Sequence, residues 1–182
     1  MLSTSPQALA QGVGLLGPAW SSRFASLGML SALGRCHSFD RQGDGYARAD
    51  GAACFLLAES QPTCDSPEFS VTATAVQSDG PSASLSAPNG SAQRRLIMLV
   101  QPRQTFLTPT VPVECHGTGT LLGDPIEIGA VASALCSSSL VIQVCCSSFK
   151  SRMGHLEATA SGGGLLCAFV SALESNNTPS NA

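Results

Sequence analysis

The sequence predicts an α/β chain, on three observations. Runs of apolar and β-branched residues alternate with stretches at helical spacing along most of its length. With 43% hydrophobic and 12% charged residues over 182 positions, the chain has the material for a dry core and is too apolar for wholesale disorder. Two of its three histidines, His116 and His155, stand beside glycine where a predicted strand has ended and a helix is about to begin. Sites in α/β folds lie there, at the carboxyl ends of strands.

Along the chain, residues 7–33 are apolar, with Gly12, Gly14, Gly17 and Pro18 breaking the first half. Ala19 to Leu30 is expected to form a short helix burying Trp20, Phe24 and Leu27. Gly34 to Gly51 is a polar, glycine-rich excursion carrying Asp40, Arg41, Asp44 and Arg48, and Ala52–Ala58 reads as a buried strand. Residues 60–68 and 78–90 are loop chemistry, on either side of a second strand at Phe69–Val76. Ser91 is placed to cap a helix through Val100 that Pro102 must end. Thr110–Glu114 is a short strand. Asp124 as N-cap and Pro125 in the first turn start a helix to about Leu135. Leu140–Cys146 reads as a buried strand, and a last helix runs from after Gly154 to about Glu174, weakened early by Gly162–Gly164.

Composition excludes several functions. A net charge of −3 with no Lys/Arg stripe argues against a nucleic-acid partner. No apolar run reaches the ~18 residues a bilayer span needs. The eight cysteines contain no C-x-x-C pair and mostly have apolar flanks, so they read as reduced, structural thiols, with no metal expected. Serines and Arg23 ahead of the first acidic residue, Asp40, imitate an organelle transit peptide.

The chemistry concentrates in two segments: Glu114-Cys-His-Gly-Thr-Gly-Thr120 leading into Gly123-Asp-Pro-Ile-Glu127, and Lys150-Ser-Arg-Met-Gly-His155. Small residues around His116 allow a backbone or a thin ligand to approach closely. Thr118 and Thr120 add hydroxyls able to bond a polar tether. A histidine in an apolar chain is by default a satisfied core residue, so both roles stay open on spacing alone. Lys150, by default a solvated lysine, would disfavour imidazolium if it lay near His155, keeping that ring neutral and able to donate a hydrogen bond.

These segments resemble the β-ketoacyl synthase (ketosynthase) family of the thiolase fold, in particular the ketosynthase domains of polyketide synthases. The similarity follows family order through G-V-G-L-L-G-P-A-W and G-M-L-S-A-L-G-R-C-H-S-F-D (12–40), D-G-Y-A-R-A-D-G (44–51), S-D-G-P-S-A-S-L-S-A-P-N-G (78–90), E-C-H-G-T-G-T-L-L-G-D-P-I-E (114–127) and F-K-S-R-M-G-H-L-E-A (149–158). Since residues from Gly12 on already match, the transit-peptide reading weakens. The resemblance implies a layered α-β-α-β-α architecture, incomplete and mostly its C-terminal half, with 1–76 ending the N-terminal half and 77–182 carrying both histidine motifs. It implies decarboxylative Claisen condensation of an acyl thioester with a malonyl-type extender, in fatty-acid or polyketide synthesis. By similarity, His116 and His155 would stabilise the extender's enolate, Lys150 would tune the second histidine, and Thr118 and Thr120 would contact pantetheine. No cofactor is expected to be bound; substrates would arrive on the phosphopantetheine of an acyl carrier protein. A homodimer is implied for the intact domain, and a cytoplasmic location, with an organelle left open.

The resemblance also exposes departures. The family nucleophile lies upstream of the region matching Gly12, which by register falls before Met1, so no nucleophile is expected within the chain. Ala134-Leu-Cys136-Ser-Ser-Ser-Leu140 imitates the nucleophile elbow, but at the end of the helix after Asp124, where a thiolate is disfavoured. Arg152 stands where the family usually has asparagine, Cys115 replaces a small residue, Ser161–Gly164 replaces an alanine-rich stretch, and 101–112 diverges. The chain stops before the family's glycine-rich final strands and gating phenylalanine, so both ends look truncated. The isolated chain is therefore expected to be inactive, and aggregation-prone or partly molten. Two competing readings are an inactive carrier-protein-binding or dimerising module and an unrelated hydrolase using Cys136.

Overall fold

The computed structural model describes residues 7–59, 71–81, 87–100, 110–136 and 143–177. It has two small sheets and five helices among these residues. Strand β1 (Gln7–Gly14) pairs antiparallel with β2 (Gly51–Ala58), from Gln7↔Ala58 to Gly14↔Gly51. Local sequence does not announce β1, because its glycines read as breakers. They are instead where another segment presses on the strand: a Cβ at Gly12 would sit 2.8 Å from the Ala158 carbonyl oxygen. β2 is a strand as expected but not a buried one. Its side chains alternate, and Leu56 and Leu57 are exposed.

Helix α1 (Pro18–Ser26) opens on proline, as helices favour. It buries none of its residues, contrary to expectation: Trp20 is 58% and Leu27 70% exposed. Trp20 stacks on Phe24 at 6.2 Å instead, and of the three expected core residues only Phe24 is half-buried. Residues 71–76 form no strand, and Val76 is 99% exposed; no described segment pairs with them, and β-branched residues cannot make a strand alone. The rest of that expected strand, the expected loop at 60–68 and residues 140–142 of the expected later strand lie outside the described residues.

Helix α2 (Gly90–Val100) is capped by Asn89, not Ser91: the Ala92 N–H donates to Asn89 Oδ1 at 3.1 Å. The Asn89 amide in turn donates to the Asp79 and Pro81 carbonyls, each at 2.9 Å. Asn89 wins because this bracing fixes it where the orphan N–H groups emerge.

The centre is a β–α–β unit. β3 (Thr110–Glu114) and β4 (Gln143–Ser147) run parallel, with Thr110↔Gln143 and Glu114↔Ser147 as end pairs, joined through helix α3 (Gly123–Leu135). Cys115, Val131, Ala134 and Leu135 form the buried core, with Phe39, Ile97, Val111, Val113, Val144 and Cys146 packed around it. Burying a Val or Leu side chain stabilises by about 1.5–3 kcal/mol. β4 is half-buried rather than buried, for Gln143, Cys145 and Ser147 face out. Helix α4 (Lys150–Met153) and a 3-10 turn (Glu157–Thr159) lead into α5 (Ala160–Asn177). α5 continues through Gly162–Gly164, and a Cβ at Gly162 would come within 2.9 Å of the Ala53 Cβ on β2. Among the described residues no helix is long and apolar enough to cross a membrane.

Candidate active site

His116 leaves the end of β3 in a loop that has no regular structure of its own, so its peptide groups need partners elsewhere. Two carboxylates from α3 supply them. Glu127 accepts from the His116 N–H at 2.6 Å and the Gly117 N–H at 2.9 Å. Asp124 accepts from the Gly119 N–H at 3.1 Å, the Thr120 N–H at 3.2 Å and, across the molecule, the Phe39 N–H at 2.8 Å. Asp124 is thus not the N-cap expected of it; it lies inside the first turn and reaches back to the loop. The loop is also wedged sterically: a Cβ at Gly117, where φ is 42°, would lie 2.6 Å from the Ser148 Cβ. A third carboxylate, Glu114, ties the two strand ends together, accepting from the Phe149 N–H at 2.7 Å and the Ser147 hydroxyl at 2.9 Å.

His155 arrives from the other side. Its N–H donates to the Ala47 carbonyl at 2.7 Å, and its carbonyl accepts from the Ala49 N–H at 3.0 Å. Its ring Nδ1 accepts from the Glu157 N–H at 2.8 Å, so Nδ1 carries no proton and Nε2 is the donor. The two imidazoles meet at a centroid distance of 5.5 Å with an interplanar angle of 81°. Tyr46 flanks His155 at 5.3 Å.

The electrostatics keep both rings neutral. Burial first, then the Lys150 ammonium and the His116 ring, hold His155 down at about 4. Burial and Lys150 also lower His116, against the opposing pull of Glu127. Lys150 itself is buried at 4% exposure, and burial lowers it while Glu114 and Glu127 oppose the shift. Its ammonium sits 4.7 Å from the Phe149 ring centroid.

Of the residues singled out from sequence, the structure brings His116, His155 and Lys150 together. Thr118 and Thr120 are turned towards each other, hydroxyl to hydroxyl at 3.4 Å, and Thr118 is buried. His116 and Lys150 line an open cavity of about 1000 Å³ with Glu114, Cys115 and Leu165 of α5. Thr120 lines a separate, more apolar one of about 490 Å³ with Phe39, Leu121 and Ile128. Cys115, next to His116, is buried, and burial with Glu127 and Cys146 pushes its thiol far up, which disqualifies it as a nucleophile. Cys136 is exposed at the C-cap of α3 and lines neither cavity. Sequence reasoning assigns no site role to Glu114, Glu127, Tyr46, Arg48 or Glu157. The available signal is scarcity: in a charge-poor chain, carboxylates bracketing a glycine-rich loop are there to bind its amides.

The chain matches the family model described as "Beta-ketoacyl synthase, N-terminal domain" over residues 3–62 and that described as "Beta-ketoacyl synthase, C-terminal domain" over residues 69–182. It is 36% identical over 171 residues to a phenolphthiocerol/phthiocerol polyketide synthase of Mycobacterium tuberculosis, covering 91% of this chain and 8% of that protein. To the highly reducing polyketide synthase ausV of Aspergillus calidoustus it is 37% identical over 172 residues, covering 92% of this chain and 7% of the relative. The chain thus spans less than a tenth of the length of either relative. Among solved structures, the oxazolomycin ketosynthase domain OzmH KS7 of Streptomyces albus JA3453 superposes with a TM-score of 0.80 at 32% identity, over 91% of this chain and 30% of that one. The ketosynthase from module 6 of the bacillaene synthase of Bacillus subtilis 168 gives 0.79 at 27% identity, again over 91% and 30%.

Proposed function

The chain belongs to the β-ketoacyl synthase family, and from that premise we propose that its paired imidazoles serve a decarboxylative Claisen condensation on carrier-bound thioesters. Its architecture is the thiolase-like α/β fold of ketosynthase domains, in part. One observation carries the proposal: two neutral rings from separate loops face one another at 5.5 Å. When a malonyl-type extender loses carbon dioxide, the electron pair left behind delocalises onto the thioester oxygen as an enolate. Nε2–H of His155 and the His116 ring are assigned as donors to that oxygen; a preorganised donor of this kind contributes about 3 kcal/mol to lowering the barrier. Burial, reinforced by the Lys150 ammonium, keeps both rings from becoming imidazolium, so they donate hydrogen bonds without protonating the carbanion that must attack the acyl group. Resemblance to the family alone assigns Thr118 and Thr120 to the pantetheine arm of an acyl carrier protein; here Thr118 is buried and Thr120 lines a different cavity from His116.

Acyl loading needs a thiolate; burial keeps Cys115 from supplying one, and Cys136 lies at a helix C-cap away from both cavities. The resemblance to ketosynthases assigns the acyl-bearing cysteine to a segment upstream of the region matching Gly12. The unreactive thiol beside His116 favours one second reading, a carrier-binding module without turnover.

Malonyl-carrier protein, mixed with this chain and a polypeptide bearing the cysteine elbow, decides between them by carbon dioxide release. His116→Ala and His155→Ala are each expected to cut release about 100-fold while acyl loading of the elbow persists. Loss of loading alone would reassign the histidines. Carrier binding with no release from the unsubstituted chain would support the binding module.

A further inference from the structure

Arg48 is a buried cation in a chain with few charges, its side chain 5% exposed. Its guanidinium forks onto both carboxylate oxygens of Glu157, Nε to Oε1 and Nη2 to Oε2, the latter at 2.7 Å. The remaining arm donates from Nη1 to the Ser21 hydroxyl at 2.7 Å, and the plane lies over the Phe24 ring at 5.0 Å. Such a two-point contact fixes the carboxylate's orientation as well as its distance. Glu157 needs fixing, because its backbone sits at φ 49°, in the left-handed region that residues with a Cβ avoid. In that conformation its N–H points back at His155 Nδ1, 2.8 Å away. Arg48 also lies between Ala47 and Ala49, the two residues whose peptide groups bond the His155 backbone.

We propose that Arg48 is a positioning residue for His155: by holding Glu157 in its left-handed turn, it pins the ring proton on Nε2 and keeps that nitrogen available as a donor. The purpose of this device rests on the condensing role assigned above, but its test does not. A tautomer is read directly, with no turnover required.

The measurement is nitrogen-15 NMR of the ring-labelled full chain near neutral pH, following the His155 tautomer and the hydrogen-bond coupling between the Glu157 amide and Nδ1. The unsubstituted chain is expected to show the coupling and a single Nε2–H tautomer. In Arg48→Met the coupling should vanish and the minor tautomer rise roughly tenfold relative to the major one. Arg48→Lys, which keeps the charge but not the fork, should behave like the methionine variant. Glycine adopts positive φ without support, so Arg48→Met combined with Glu157→Gly should regain both coupling and tautomer. If Arg48→Met is too unstable to measure, Glu157→Gln gives the same reading, since it weakens the fork from the other side. A coupling that survives Arg48→Met or Glu157→Gln, a double variant that fails to regain it, or both tautomers in the unsubstituted chain would each overturn the proposal. A failure of carbon dioxide release with the tautomer result intact would count against the condensing role alone.

Discussion

The β3–α3–β4 unit and the β1–β2 sheet are stabilised in different ways. The first has a buried core of Cys115, Val131, Ala134 and Leu135, and its outgoing loop is held by Asp124 and Glu127. The second pairs eight residues with eight yet leaves Leu9, Val13, Leu56 and Leu57 exposed. Hydrogen-bonded pairing therefore does not by itself produce a core. Both sheets meet a helix, α5 crossing β2 at Gly162, so what sets the first apart is the buried face of α3 and carboxylates that satisfy the peptide groups of the loop. The histidine that depends on that loop inherits its rigidity.

The sharpest way to break this contrast is to remove a loop anchor. Asp124→Ala leaves the amides of Gly119, Thr120 and Phe39 without their acceptor, and should cost about 3–5 kcal/mol of unfolding free energy in urea titrations. A cost below about 1 kcal/mol would mean that the loop holds its shape without the carboxylate.

A smaller effect should follow from pH. Since His155 is depressed to about 4 in the folded chain, the unfolded chain binds the extra proton first, below its ordinary value near 6.5. Stability should therefore be lost as pH falls from about 6.5 towards about 4, and His155→Gln should flatten that part of the profile. Equal slopes for both proteins would show that the ring is not held neutral.

The smallest effect belongs to the open sheet. Leu9→Ala should change stability by no more than about 0.5 kcal/mol, because a side chain 63% exposed loses little on truncation. A cost near that of Asp124→Ala would reveal a covering partner and erase the difference between the two regions.

Legibility in the sequence follows the same divide. The limits of β3, the end of α3 at Leu135 and the siting of His116 between β3 and α3 are readable, because short-range spacing and capping chemistry dictate them; His155 instead follows the short helix α4 rather than a strand. Position alone rejects the Cys136 imitation, and the structure puts that residue at a helix C-cap. Where neighbours decide, sequence reading fails. β1 reads as broken chain because a glycine's purpose, here contact with the Ala158 carbonyl, is invisible without the contacting segment. Trp20, Leu27 and β2 read as buried because hydrophobicity measures the tendency to bury, not the presence of something to bury against. Asn89 outdoes Ser91 through distant bonds to the Asp79 and Pro81 carbonyls.

Local order along the chain was enough to specify the α/β class, the two histidine motifs and the family. Their convergence was not written there: residues 116 and 155 meet at 5.5 Å through loops pinned by Glu127, by Asp124 reaching Phe39, and by the Ala47 and Ala49 peptide groups, each acting across a gap in sequence. Propensity and spacing act over a few residues and survive in a linear reading. Burial, hydrogen-bond satisfaction and the field of a buried ammonium depend on what else occupies the surrounding space, and they come into being only when the chain closes on itself.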